Sequence, residues 1–441
     1  MKDNSIFDLT YLMMKKPYQH LLRIIWLSAS LFIMLSFASC RKEDEKDDDQ
    51  RVIDNITFHN LMKEWYFWYD LMPEIDPSLY MSPYQVLNQL RYTQDPWSFI
   101  TTKEEFEAYY SESKYVGHGF GSGWDDEGKL RVSFVFENTD IFDAGVSRSW
   151  IIEAINDQII SEGDNINQLL GPNNVGVSNK FRFINPDNET VEFTFEKKEI
   201  TMNAVLHSEV IEYGGERTGY MVYKGFTGPS KNEIEDVFSD FLHEGIDNLI
   251  LDLRYNSGGQ TSLANYLASS IGGTAVFEEP FTGYVYNDKQ TSQNYVDSFK
   301  VTDFPLNKDR LVVITTRTTA SASEMVINGL KPYMPVTVVG SNTSGKPMGM
   351  NVWFYRDYAF VPITFKIVNA EGEGEYFDGL PADAYIDDDL TRMFGDPGEL
   401  SLKEALIYLE TGSFSALPVK KTFPVQPLTE VKGFRRIIGA H

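Results

Sequence analysis

The sequence contains one cysteine, few histidines and a deficit of basic residues, and each shortage argues against a class of protein. The single cysteine, Cys40, excludes any disulfide within the chain. There are 39 Lys and Arg residues against 64 Asp and Glu, a net charge of -25, which argues against a nucleic-acid partner. The six histidines include no metal-spaced pair and no HExxH motif, so they predict no metal site.

An apolar run long enough to span a membrane is also missing. The run IIWLSASLFIMLSFASC follows a basic segment, but it is short and rich in serine, which is typical of a targeting segment. Its end, FASC, resembles a bacterial lipobox. That resemblance implies a signal peptide over residues 1–39 and a lipid on Cys40. An uncleaved N-terminal anchor helix is the alternative.

The segment after Cys40, RKEDEKDDDQ, has no apolar residue, and we expect residues 40–53 to be a solvated acidic tether. An acidic run at this place resembles the signal that sends some lipoproteins to the outer face of the outer membrane. The resemblance implies an outer-membrane lipoprotein that contacts the membrane through its lipid alone. A periplasm-facing anchor is the alternative.

Two regions lie between the acidic segment and residues 201–412. Residues 54–112 carry aromatic and aliphatic side chains at helical spacing and predict a small N-terminal helical domain. Residues 113–200 alternate with a period of two and predict a β-rich domain. Its stretch DAGVSRSWIIEAINDQII resembles a PDZ domain.

The loop of that β-rich domain is the candidate ligand site. By the resemblance, Gly117, His118, Gly119 and Phe120 stand where PDZ domains bind a peptide's terminal carboxylate. Glycines there let backbone N–H groups converge on an anion. An ordinary hairpin loop explains the same residues.

Residues 201–412 alternate buried strands with capped helices. NLILDL and RLVVITTR are typical of buried parallel strands, and SKNEIEDVFSDFLHEG begins with a serine cap and ends at a glycine. This order predicts an α/β domain with a mostly parallel sheet covered by helices. Sites in such sheets lie at the carboxyl ends of the strands.

Two features lie at those ends. The first is the turn Asn256-Ser257-Gly258-Gly259, whose free backbone N–H groups suit a developing negative charge. Its spacing matches neither a P-loop nor a G-x-G-x-x-G fingerprint, so the sequence predicts no bound nucleotide. The second is SASEMVINGLKPYMPVTVVGSNTSGK, from Ser321 to Lys346, where Ser321 and Glu324 match a capping box.

Taken singly, Ser321 is a helix cap and Lys346 a solvated surface residue. In a β-α-β unit, however, the helix start faces the turn after the next strand, which would place Lys346 beside Ser321. Burial lowers the pKa of a lysine, so that its amine can be neutral at neutral pH and accept a serine proton. A triad using His207 or His243 stays open.

Together these motifs resemble the C-terminal processing (tail-specific) proteases, peptidase family S41, over roughly residues 54–410. The resemblance implies a ClpP/crotonase-like catalytic domain and a serine endopeptidase that cleaves unstructured or C-terminal polypeptide in the cell envelope, without a cofactor. It implies the following roles: Ser321 as nucleophile, Lys346 as general base, and the Ala322, Gly258 and Gly259 amides as oxyanion hole. Glu324 is a candidate support for Lys346, whereas Met350 stands where some members have a polar residue.

Two rival functions stay open. A non-catalytic lipoprotein could bind peptides through the PDZ-like groove, with the serine and lysine purely structural. A glycan-binding lipoprotein is suggested by the 7 Trp and 24 Tyr residues. The acidic run 387–389 lacks the Gly and distal Glu of a calcium loop, and the tail, residues 413–441, predicts no function.

Overall fold

The computed structural model describes residues 42–415, with side chains from residue 48. The predicted signal peptide, the lipidation site Cys40 and the C-terminal tail beyond residue 415 lie outside the described residues. The chain divides into two compact units between Arg51 and Val52. The second unit carries the strands and every candidate site described below.

The helices and strands have the following bounds. The helices are α1 (Lys42–Trp65), α2 (Pro83–Leu90), α3 (Lys103–Glu112), α4 (Asp140–Asp143), α5 (Ile166–Leu170), α6 (Ser230–Glu244), α7 (Thr261–Gly272), α8 (Ala322–Leu330) and α9 (Leu400–Thr411). The first strands are β1 (Phe99–Thr102), β2 (Lys114–Gly117), β3 (Phe120–Trp124), β4 (Leu130–Val135), β5 (Ile151–Ile155), β6 (Gln158–Ile159), β7 (Ser178–Ile184), β8 (Thr190–Glu196) and β9 (Lys198–Thr201). The later strands are β10 (Val205–Tyr213), β11 (Glu216–Tyr223), β12 (Asn248–Asp252), β13 (Pro280–Tyr286), β14 (Tyr295–Ser298), β15 (Leu311–Thr315), β16 (Val336–Gly340), β17 (Met348–Met350), β18 (Trp353–Tyr355), β19 (Tyr358–Val361), β20 (Ile363–Val368) and β21 (Ala384–Tyr385).

The sheet that positions the candidate site has the order β10-β11-β12-β15-β16-β21. Only the β10–β11 pair is antiparallel, and the other pairs are parallel. The predicted mostly parallel sheet is therefore confirmed, with an antiparallel strand at one edge.

Helices cover both faces of this sheet because its strands are apolar on both sides. One face packs Met221, Leu251 and Val313 against α6, α7 and α8. The other face packs Tyr220 and Ile250, among others, against α9. Neighbouring residues of one strand point to opposite faces, so continuous apolar strands need a helix layer on each side.

The N-terminal helices share a core with the later strands β17, β19 and β20. Phe58 and Met62 of α1 are fully buried in one cluster with Met348, Phe360 and Ile363. Strand β1 also pairs with β19. The N-terminal segment is thus packed on the later strands and buries its aromatic face there.

Residues 120–196 form a separate antiparallel sheet with the strand order β3-β4-β5-β7-β8, and β6 pairs with β5. Its own core includes Phe120, Val132, Ile152 and Phe181. Strand β3 is the edge strand of this sheet on the side of the loop of residues 117–120.

The acidic segment differs from the solvated tether that the sequence predicted. Helix α1 begins at Lys42, so residues 42–53 are helical. The segment is mostly acidic, and it extends a helix that packing stabilises further along the chain. Within residues 42–415, no helix is both long and apolar enough to cross a membrane.

Candidate active site

Ser321 lies directly before α8, at the end of the loop that follows β15. Its backbone has φ 57° and ψ -115°, a region that residues with a Cβ rarely adopt. Such a conformation costs on the order of 1–3 kcal/mol and persists where surrounding contacts hold it. The turn therefore presents Ser321 in a strained backbone that an ordinary helix cap does not need.

Lys346 lies in the turn after β16, beside the turn that carries Ser321. Strands β15 and β16 are parallel neighbours, and the Ser344 N–H donates to the Thr319 carbonyl at 2.8 Å. The Lys346 side chain is 7 % exposed, so the residue is buried and is not a solvated surface lysine. The structure brings the two turns together, as the β-α-β pattern predicted.

Glu324 links the two turns through its carboxylate. One oxygen, Oε2, accepts the backbone N–H of Ser321 at 2.8 Å and that of Lys346 at 2.9 Å. The other, Oε1, accepts the Thr343 hydroxyl at 2.6 Å and the Gly345 N–H at 2.7 Å. All four donors are neutral, and burial raises the pKa of Glu324 above its ordinary value although these hydrogen bonds act to lower it. The capping residue thus holds both halves of the site.

The glycine turn lies against Ser321. Gly258 has φ 102°, and a Cβ on it would lie 2.8 Å from Ser321 Cβ and 3.0 Å from Ala322 N. The missing side chain keeps this space open beside the Ala322 N–H, for which the described residues supply no acceptor. The Gly258 N–H, in contrast, already donates to Asn256 Oδ1 at 2.9 Å.

The structure shows that Asn256 connects the glycine turn with the turn of Ser321, a contact that sequence reasoning missed. Its carbonyl accepts the Ala320 N–H at 3.1 Å and the Ser323 hydroxyl at 3.0 Å. Its side-chain amide donates to the Tyr223 carbonyl at 3.0 Å. An asparagine after a strand is the signal available in the sequence, but these partners lie on distant segments.

A buried charge cluster next to the glycine turn was also missed, and we call it the Arg254 cluster: Arg148, Asp252, Arg254, Tyr255, Asp388 and Glu399. Arg254 is fully buried and contacts all three carboxylates at 2.7 to 2.9 Å. Arg148 donates to Asp388 at 2.8 Å and to the Tyr255 hydroxyl at 2.6 Å. Burial acts to raise the pKa of Asp388, but the two guanidiniums hold it well below its usual range.

The histidines that could have formed a triad lie elsewhere. His207 contacts Glu209 at 3.2 Å, and His243 lies exposed in the last turn of α6. Within the described residues, neither forms a hydrogen bond with Ser321. In the same part of the chain, no group of three or more His, Cys, Asp or Glu side chains is arranged to hold a metal ion.

The predicted carboxylate-binding loop lies between β2 and β3. Gly119 has φ 90°, and Phe120 is buried at the start of β3. The His118 side chain is buried as well, with Nε2 2.7 Å from Asn179 Oδ1. Burial lowers the pKa of His118 to about 4, so this imidazole carries no charge at neutral pH. Any anion bound here would therefore depend on backbone N–H groups.

Comparison with known proteins identifies similar chains. The model of peptidase family S41 matches residues 217–385, and the model of the peptidase S41 N-terminal domain matches residues 58–99. The first range includes the glycine turn, Ser321 and Lys346.

Two curated relatives and one solved structure illustrate the similarity. A carboxyl-terminal-processing protease of Synechocystis sp. is 26% identical over 48% of this chain and 48% of its own. A probable CtpA-like serine protease of Staphylococcus aureus (strain COL) is 23% identical over 82% of this chain and 70% of its own. A crystal structure from Bacteroides fragilis NCTC 9343, assigned to the S41 proteases, has a TM-score of 0.66 and 20% identity over 86% of this chain and 100% of its own. The chain spans about half the length of the Synechocystis relative that it matches.

Proposed function

The chain belongs to peptidase family S41, and from this premise we propose that it is a serine endopeptidase with Ser321 as nucleophile and Lys346 as general base. The observation that carries the proposal is the Glu324 carboxylate, one oxygen of which binds the backbone N–H of both residues, at 2.8 and 2.9 Å. This contact fixes the two turns against each other. Preorganised groups of this kind reduce the entropic part of a reaction barrier.

In the proposed reaction the Ser321 hydroxyl attacks the peptide carbonyl while the neutral Lys346 amine accepts its proton. The burial of Lys346 supports this role because an apolar environment disfavours the ammonium form. The lysine then returns the proton to the leaving amine. Water activated by the same amine hydrolyses the acyl-enzyme.

We propose the Ala322 and Gly259 N–H groups as oxyanion donors. The Ala322 N–H has no acceptor among the described residues and lies at a helix N-terminus, where the helix dipole favours negative charge. Gly258 keeps the space open, and its own N–H would have to leave Asn256 to contribute. This changes the expected role of Gly258 from donor to spacer.

The proposed substrate is an unstructured or C-terminal polypeptide segment in the cell envelope. The name of the Synechocystis relative, carboxyl-terminal-processing protease, supports the substrate class. A lipid on Cys40 would hold the enzyme at the outer membrane. Incorporation of a labelled fatty acid that is lost in Cys40→Ser would test that anchor.

The activity is tested by incubating the full chain with an unfolded polypeptide. We expect Ser321→Ala and Lys346→Ala each to lower kcat by at least about a thousandfold, the usual effect of losing a nucleophile or its base. Lys331→Ala is the matched control, because Lys331 is exposed at the other end of α8. Cleavage that persists in both site variants would contradict the proposal.

A second candidate function is peptide capture by the predicted PDZ-like domain, residues 113–200. The position of β3 at the edge of its sheet, directly after the loop of residues 117–120, supports it because bound peptides add to edge strands. Ser321→Ala protein should bind a peptide with a free carboxylate more tightly than its C-terminal amide. Equal binding of the two peptides would count against a carboxylate site.

A further inference from the structure

The amine of Lys346 contacts a sulfur atom. Nζ lies 3.8 Å from Met350 Sδ, within the range of a weak N–H···S hydrogen bond. Lys346 lies two residues before β17, and Met350 is the last residue of that strand. Met350 is therefore in direct contact with the proposed general base.

The pairing of β17 with β20 is irregular at Met350. In a regular strand Met348 and Met350 would face the same side. The pairing of β17 with β20 has a register shift between Gly349 and Met350, where Thr364 of β20 is the extra residue, and bulges of this kind change the direction of nearby side chains. Met348 is fully buried in the core, whereas Met350 is only half-buried and reaches Lys346. Met350 packs against the core cluster that contains Met348, and in addition its sulfur contacts the Lys346 amine.

We propose that Met350 positions the Lys346 amine through its thioether, and that oxidation of this sulfur by a peroxide lowers peptidase activity. The inference rests on the proposed function, in which the amine must be neutral and aimed at Ser321. A thioether is polarisable and accepts only weakly, so it can hold the amine without stabilising its charged form. A carboxylate at this place would instead favour the ammonium.

The oxidation step is chemically simple. A peroxide transfers one oxygen atom to the sulfur lone pair, which gives methionine sulfoxide, while the peroxide is reduced to water or an alcohol. The new oxygen is a strong acceptor, and it would occupy the space between sulfur and amine. We expect it to displace the amine from Ser321 and to stabilise the ammonium form. Met350 is not fully buried, so we expect a small peroxide to reach it.

The test compares the full-length wild type with Met350→Leu, Met350→Gln and the matched control Met348→Leu from the same strand. Each protein is assayed for kcat and KM on an unfolded polypeptide before and after hydrogen peroxide. Mass spectrometry then follows the Met350 peptide. Methionine-to-leucine changes conserve volume and usually cost little stability, which thermal unfolding of each variant checks.

We expect Met350→Leu to lower kcat on the order of tenfold with KM unchanged, because a misplaced catalytic group slows the chemical step. Met350→Gln should also lower kcat, because its amide oxygen is a strong acceptor on the same side-chain atom as the sulfoxide oxygen and therefore imitates the oxidised residue. Peroxide should inactivate the wild type and Met348→Leu but neither Met350 variant.

Three results would overturn the inference: a wild-type kcat in Met350→Leu, a wild-type kcat in Met350→Gln, or equal peroxide inactivation of all four proteins. In each case, cleavage that still depends on Ser321 leaves the proposed function intact. Cleavage by the wild type and by Ser321→Ala at the same rate would overturn the proposed function, and this inference with it.

Discussion

Two buried carboxylate centres lie at the carboxyl edge of the same sheet, and they are built in opposite ways. Glu324 is bound by four neutral donors, three backbone N–H groups and a hydroxyl. The carboxylates of the Arg254 cluster are bound by guanidiniums. Burial therefore raises the pKa of Glu324, whereas the charges of Arg148 and Arg254 outweigh burial and lower that of Asp388.

The difference extends to how far apart the partners lie in the chain. The partners of Glu324 lie 3 to 22 residues away, whereas Arg254 reaches Glu399 across 145 residues and Arg148 reaches Asp388 across 240. The Glu324 centre is a product of one β-α-β unit. The Arg254 cluster instead joins the antiparallel sheet, the glycine turn and the start of α9, so it holds regions of the fold together.

The largest expected effect is on stability, from Arg254→Met. Removing this guanidinium leaves Asp252, Asp388 and Glu399 buried near one another, and breaking a buried ion pair typically costs about 3–5 kcal/mol. Urea unfolding measures the loss. Arg392→Met is the matched control, because its side chain is 48% exposed and exposed pairs contribute at most about 1 kcal/mol. Equal losses in both variants would contradict a special role for the cluster.

Glu324→Gln should lower the unfolding free energy less than Arg254→Met does, and it should lower peptidase activity more. The amide replaces one acceptor oxygen with a donor that faces N–H groups, and leaving such a buried group unsatisfied costs about 1–3 kcal/mol. Because the four donors are neutral, the substitution leaves no buried charge without its partner, and the loss of unfolding free energy should stay below that of Arg254→Met. Because both turns lose their common anchor, kcat should fall on the order of a hundredfold. Wild-type kcat in a folded Glu324→Gln protein would show that the link is not needed.

The contributions of the two centres to stability should change with pH in opposite directions. The folded pKa of Asp388 is below its ordinary 3.8, so its stabilisation is fully present above pH 3.8 and is lost as the pH falls further. The folded pKa of Glu324 is above its ordinary 4.5, so its contribution is fully present below pH 4.5 and is lost as the pH rises through the folded value.

Unfolding free energies measured from pH 2 to 7 test this difference. Asp388→Asn should flatten the acid side of the profile, and Glu324→Gln should flatten the decline above pH 4.5. A profile that Asp388→Asn leaves unchanged below pH 3.8 would contradict the assignment for that centre.

The smallest effect is expected from Tyr255→Phe. Its hydroxyl contacts both Arg148 and Asp388, but the ion pair between those two residues remains when the hydroxyl is removed. We expect a loss of about 1 kcal/mol in unfolding free energy. A loss as large as that of Arg254→Met would mean that the hydroxyl, and not the guanidinium, organises the cluster.

Much of the Glu324 centre could be predicted from the sequence. Strand and helix periodicity gave the order of β15, α8 and β16, and the capping pattern placed Glu324 at the start of the helix. The right-handed connection of parallel strands then brings the turns of Ser321 and Lys346 to one edge. The capping role of Glu324 and its proposed site role are compatible, because one carboxylate accepts from both turns.

The sequence by itself determined the alternating elements, the mostly parallel sheet and the pairing of two turns, because hydrophobic period, caps and short connections act within a few tens of residues. Only the tertiary structure decided the Arg254 cluster, the occupied Gly258 amide and the turn of Met350 toward Lys346. Those features depend on contacts between distant segments and on a one-residue bulge, and no local pattern in the chain encodes either.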